Sequence, residues 1–125
     1  MTIQQRKILI VDDEEAIGQI MQAGLEKHGF TVKFEAHSIN AIQVCLDFHP
    51  DLVLLDVDMP HKDGGQVAAE LKDHPQLWRT PVLFLTSLAS RARLSVSGEV
   101  LLSKPISIAS LVSIINLTLQ PPPSP

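Results

Sequence analysis

The sequence predicts an α/β domain with a doubly wound parallel sheet, and three observations point there. Short apolar runs alternate along the chain with segments whose apolar residues recur at helical spacing. The runs are continuously apolar, as strands covered on both faces are. Several end directly in acids, a hydroxyl or an ammonium group, at the carboxyl edge where open parallel sheets bind their ligands.

Lys7 to Val11 (KILIV) is a short, β-branched run that stops abruptly at acids, and it reads as the first buried strand. Ile17, Ile20, Met21, Gly24 and Leu25 follow at helical spacing, with Gly29 where a helix C-terminus wants it. Thr31 to Ala36 alternates enough for a second strand. Ser38 can cap a helix carrying Ile42, Cys45 and Leu46 on one face, and His49-Pro50 stops it. Asp51 to Leu55 (DLVLL) is the third buried run. Gly64-Gly65 precedes a helix through Val67, Ala68 and Leu71. Pro81 to Leu85 (PVLFL) is the fourth strand, Val100 to Leu102 a short fifth, and a last helix runs from about Ile108 to Leu119.

At 125 residues, 45% hydrophobic and 19% charged, the chain can bury a core and is too apolar to remain disordered. The net charge is −4 and the basic residues are scattered. No basic stripe forms, so direct nucleic-acid binding is not expected. No signal-peptide pattern and no apolar run of ~18 residues occurs, so a cytoplasmic protein without membrane contact is expected. Cys45 lies in an apolar helical stretch and reads as a buried, reduced thiol. His28, His37, His49, His61 and His74 show no metal-ligand spacing, and His61, nearest the acids, reads as a solvated loop residue.

The groups at the strand ends are Asp12-Asp13-Glu14, Asp56, Thr86-Ser87 and Lys104. Singly, each has a bland explanation: an acid after a strand often caps a helix, and a lysine before proline is usually a solvated charge. Together they place several carboxylates, a hydroxyl and one ammonium on one edge. Crowded carboxylates repel unless a cation is present. Mg2+ suits a small site with few protein carboxylates, several waters and a phosphate oxygen. Asp13 and Asp56 would be side-chain ligands, and the residue two after Asp56, Asp58, could add its backbone carbonyl. Phosphoryl transfer needs positioning and charge stabilisation on the equatorial oxygens, and the metal, Lys104 and the Thr86 hydroxyl can each take one. A carboxylate is a competent nucleophile, and Asp56, on the central apolar run, is the best candidate. No P-loop or GxGxxG supports a nucleotide site.

Taken in order, ILIVDDEEAI (8–17), PDLVLLDVDMPHKDGG (50–65), PVLFLTS (81–87) and Lys104-Pro105 closely resemble the response-regulator receiver family of two-component signalling, over Lys7 to about Leu119. The resemblance implies a flavodoxin-like, five-stranded parallel sheet of order 2-1-3-4-5 with five helices. It implies Asp56 as phospho-acceptor, Asp12 and Asp13 as the acidic pair at the Mg2+ site, and the main chain of Asp58 as a further ligand. Thr86 and Lys104 match the switch hydroxyl and the phosphate-binding lysine, and a cis peptide at Lys104-Pro105 is implied. The donor would be a histidine kinase or phosphotransfer protein of a phosphorelay. The chain would not be an enzyme beyond Mg2+-dependent self-phosphorylation and slow autodephosphorylation.

Three departures bear on signalling. Leu101 stands where the family usually has an aromatic switch residue, and Ser87 where it usually has Ala. Thr86 and Lys104 are 18 positions apart, several short for the family, so the fourth helix should be a stunted turn or two around Leu88 to Leu94. The output face of fourth helix, fifth strand and last helix is therefore altered. The last helix is apolar at Ile108, Leu111, Val112, Ile114, Ile115, Leu117 and Leu119, too many for a one-sided surface helix. Either it packs deeply or it offers an exposed face to a second copy or a partner. Residues 1–119 form the receiver, and Gln120 to Pro125 (QPPPSP) is a Pro-rich tail or the start of a linker. Two other readings stand beside this one. One is a receiver-like protein-contact module that is never phosphorylated. The other is a haloacid-dehalogenase-type phosphatase, suggested by Asp56-Val57-Asp58 but opposed by the acid-tipped strand that precedes it.

Overall fold

The structure, a computed structural model, describes residues 5–86 and 100–120. In chain order the elements are β1 (Lys7–Val11), α1 (Glu15–Lys27), β2 (Thr31–Glu35), a 3-10 turn (Ser38–Asn40), α2 (Ala41–Phe48), β3 (Leu52–Asp56), α3 (Gly64–Asp73), β4 (Val82–Thr86), β5 (Val100–Ser103) and α4 (Ile108–Leu119). The five strands form one parallel sheet of order β2-β1-β3-β4-β5. This is the strand order that the sequence resemblance implies. The expected short helix at Leu88 to Leu94, the Ser87 departure and the tail beyond Gln120 lie outside the described residues.

The two faces divide the strand residues with period 2. Ile8, Ile10, Leu52, Leu54, Leu83 and Leu85 pack with Met21 and Leu25 of α1 and with Leu111 and Ile115 of α4. Leu9, Val11, Val53, Leu55 and Phe84 face the other way, against Ala41 and Cys45 of α2 and Val67, Ala68 and Leu71 of α3. Helices on both sides explain why the central strands carry no polar alternation. Each fully buried Leu or Ile contributes roughly 1.5–3 kcal/mol, so these two layers outweigh any surface term.

The helix ends follow local chemistry. Gly29, at φ +91°, closes α1: its N–H reaches the Glu26 carbonyl at 3.1 Å, and the Phe30 N–H reaches that of Leu25 at 3.3 Å. This is the paired C-terminal closure that glycine permits at little cost. Asp63 opens α3 with a reciprocal cap: its Oδ1 accepts from Gln66 N at 2.8 Å, while Gln66 Oε1 accepts from Asp63 N at 2.9 Å. Ser107 caps α4 by accepting from Ser110 N at 3.1 Å.

Some expectations are corrected. Ser38 does not cap α2; it opens the 3-10 turn, and its hydroxyl donates to the Pro60 carbonyl at 3.1 Å. Asp56 and Thr86 are the last paired residues of β3 and β4 rather than the first residues past them. Ile20 is 68% exposed, so the inward stripe of α1 is the narrower one through Met21 and Leu25. In α4, Leu111 and Ile115 are fully buried and Val112, Ile114 and Leu119 pack partly against the core. Leu117 alone among its large residues is strongly exposed, which favours the packed reading for most of the helix. Among the described residues no helix is long and apolar enough to cross a membrane.

Candidate functional site

The site sits where the strand order reverses, between the carboxyl ends of β1 and β3. Asp12 follows β1 and is fully buried. Its N–H donates to the Glu35 carbonyl at 3.1 Å, continuing the β1–β2 ladder by one bond, and its Oδ1 accepts from Glu14 N at 2.9 Å. The second bond turns the chain into α1 and fixes Glu14 beside the acid pair.

Asp56 ends β3, in register with Leu85 of β4, and is only 3% exposed. The next residue stays anchored: Val57 N donates to the Leu85 carbonyl at 3.0 Å, and Gly64 N donates to the Val57 carbonyl at 2.9 Å. α3 therefore starts against the backbone of Asp56 and Val57. A Cβ at Gly64 would stand 2.5 Å from the Asp56 carbonyl oxygen and 3.0 Å from Val57 Cα, so only glycine fits there.

Thr86 ends β4, one position beyond the residue paired with Asp56, and is fully buried. Its carbonyl accepts from Lys104 N at 2.9 Å, which ties the end of β4 to the lysine. The Lys104-Pro105 peptide is cis, as the resemblance implies. Lys104 Nζ reaches inward to Asp12 Oδ2 at 3.1 Å, Glu14 Oε1 at 3.1 Å and Asp56 Oδ1 at 3.2 Å. One carboxylate oxygen each from Asp12, Asp13, Glu14 and Asp56 lies within 4.8 Å of the others.

The electrostatics are unbalanced in one direction. Burial, then the charge of Asp12, push the Asp56 carboxyl up to about 7, against the opposing pull of Lys104. Burial alone would lower the Lys104 ammonium; its contacts with Asp12, Asp56 and Glu14 outweigh that and hold it above its ordinary value. Among the described residues, four carboxylates and one ammonium meet here. Asp12 Oδ2 is buried and lies 3.1 Å from that ammonium, which Glu14 and Asp56 share. A surplus of buried carboxylate charge is costly. Together with an all-oxygen donor set, it fits a hard divalent cation.

The structure thus brings together four of the sequence-predicted residues, Asp12, Asp13, Asp56 and Lys104. It places Thr86 at the same edge and Asp58, exposed, on the loop after β3. His61 is exposed, at φ 71°, and no histidine joins the acidic group among the described residues. Glu14, one of the acids after β1, also pairs with Lys104, a contact that its place in the sequence does not predict. Leu101 pairs in register with Phe84 and packs partly buried on the α2–α3 side of the sheet. Cys45 is fully buried, and burial pushes its thiol up to about 11.

A family model, that of the response regulator receiver domain, matches residues 8–116. Among solved structures, the chain is similar to the signal receiver domain of a signal transduction histidine kinase from Syntrophus aciditrophicus, at 29% identity and a TM-score of 0.82, covering 91% of this chain and 89% of that one. It is similar to a response regulator from Desulfuromonas acetoxidans at 26% identity and a TM-score of 0.81, covering 92% and 97%. The receiver domain of the Francisella response regulator 1452 matches at 26% identity and a TM-score of 0.79, covering 93% and 98%.

Proposed function

Because this chain belongs to the response regulator receiver family, we propose that it takes a phosphoryl group onto Asp56 from the phosphohistidine of a histidine kinase or phosphotransfer protein in the cytoplasm. The observation that carries the reading is the buried Asp12–Asp56 pair sharing the Lys104 ammonium with Glu14, so that among the described residues carboxylates outnumber cations at the site. Side chains of Asp12, Asp13 and Asp56 and the main-chain carbonyl of Asp58 would hold Mg2+. When bound, the ion supplies the positive charge that lets two carboxylates and an incoming phosphoryl group share the site.

The remaining steps belong to the chain's own residues. An Asp56 carboxylate oxygen attacks phosphorus, and the new O–P bond forms as the P–N bond of the donor breaks. The imidazole nitrogen keeps the electron pair and is protonated as it leaves. Lys104, already within 3.2 Å of the acceptor oxygen, neutralises one phosphoryl oxygen. The Thr86 hydroxyl, at the end of the neighbouring strand, would take another. Burial of Asp56 and Thr86 excludes water from the carboxylate while the group transfers. The chain acts as a phosphoryl carrier, with slow autodephosphorylation as its only turnover.

Incubation with acetyl phosphate and Mg2+, followed by intact mass measurement, tests this. The expected result is a gain of one phosphoryl group, absent without Mg2+ and absent in Asp56→Asn. No gain in the wild type would leave the protein-contact module as the reading. Release of many phosphates per chain would point to a phosphatase instead.

A further inference from the structure

Resting on the acceptor reading above, we propose that Glu14 is a positioning residue that restrains Lys104 and thereby slows phosphoryl capture at Asp56. Lys104 Nζ is shared by three carboxylates at nearly equal distance, Asp12 and Glu14 at 3.1 Å and Asp56 at 3.2 Å. They differ in their surroundings. The side chains of Asp12 and Asp56 are 0% and 5% exposed, while that of Glu14 is 55% exposed. The Glu14 contact has hydrogen-bond geometry as well as opposite charge.

These differences decide which contact survives the reaction. A phosphoryl group on Asp56 consumes that carboxylate, and a divalent cation beside Asp12 takes over its charge. Glu14 would keep its charge and its place, because its N–H is held by Asp12 Oδ1 at 2.9 Å. It then competes with the phosphoryl oxygens for the Lys104 ammonium. Removing the charge of Glu14 frees Lys104 toward Asp56 without touching the acceptor. An ion pair this exposed on one side changes a rate by at most about fivefold.

The test compares wild type, Glu14→Gln and Glu14→Asp by the rate of mass gain with two donors in Mg2+: acetyl phosphate, a dianion, and phosphoramidate, a monoanion near neutral pH. Glu14→Gln is expected to react about two- to fivefold faster with both donors. Glu14→Asp should stay near the wild-type rate, with the thermal midpoint little changed in either variant. In metal-free protein without donor, the ε-methylene NMR resonance of Lys104 should move in Glu14→Gln. An unchanged or slower rate, or an unmoved Lys104 resonance, overturns the role of Glu14 while leaving Asp56 as acceptor. Acceleration confined to acetyl phosphate also overturns it, since that result reports repulsion of the donor. A wild type that gains no phosphoryl group from either donor defeats the acceptor reading itself, and the restraint with it.

Discussion

Replacing Asp56 by Asn should stabilise the metal-free protein, and the gain should depend on pH in a defined way. In the fold, burial and the Asp12 charge raise the Asp56 carboxyl from 3.8 to about 7. The folded state therefore holds this proton more tightly than the unfolded chain does. Stability from that difference is fully present below the unfolded value of 3.8 and is lost as pH rises through about 7. At 1.36 kcal/mol per pKa unit, the shift corresponds to about 2–4 kcal/mol of desolvation and repulsion carried by the native state at pH 8. Asn keeps the shape and removes the charge, so Asp56→Asn in EDTA should gain about 2–4 kcal/mol at pH 8 and close to nothing at pH 4. For a domain of this size that is a rise of roughly 8–16 °C in the thermal midpoint at pH 8. Urea unfolding in EDTA across that pH range measures it. Added Mg2+ should stabilise the wild type strongly and the variant little, narrowing the gap. A gain of equal size at both ends of the range, or a loss at pH 8, would refute the placement of Asp56 in a buried, like-charged site.

Gly64→Ala should lose about 1–3 kcal/mol in urea unfolding, because the added Cβ meets backbone atoms of Asp56 and Val57. Helix propensity alone predicts the opposite sign, so a stabilised variant would mean that α3 does not start against the Asp56 backbone. Asp63→Ala removes the cap of α3 and should cost about 1 kcal/mol, read by the same unfolding curve. Cys45 should react with a thiol reagent at pH 8 only after urea is added, given its burial and a thiol pushed up to about 11; rapid labelling of the native protein would contradict the packing of α2 on the sheet.

The sheet was legible because its central strands are buried on both faces, which leaves unbroken runs such as KILIV and DLVLL in the sequence. Gly29 marked the end of α1 for an equally local reason, since the left-handed closure needs a residue without Cβ. Strand ends were less legible. Asp56 and Thr86 are polar and look like the first loop residues, yet the ladder continues through them. Backbone pairing leaves no mark on side-chain polarity. Ser38 has the chemistry of a helix cap, but its hydroxyl is claimed by the Pro60 carbonyl, 22 positions away. The acidic edge with Lys104 could be assembled from strand order alone. The partner of Glu14 could not, because Lys104 lies 90 positions along the chain. That contact forms where the segment after β5 and the turn after β1 meet at the same corner.

The central claim is that the Asp56 carboxylate becomes an acyl phosphate, and that bond has a chemical signature. After treatment with phosphoramidate and Mg2+, borohydride reduces an aspartyl phosphate to homoserine while leaving free carboxylates intact. Peptide mapping should find homoserine at position 56 and at no other aspartate, and none in protein treated without Mg2+. Homoserine at Asp12, Asp13 or Asp58, or an unmodified Asp56 in protein that has gained a phosphoryl group, would contradict the account.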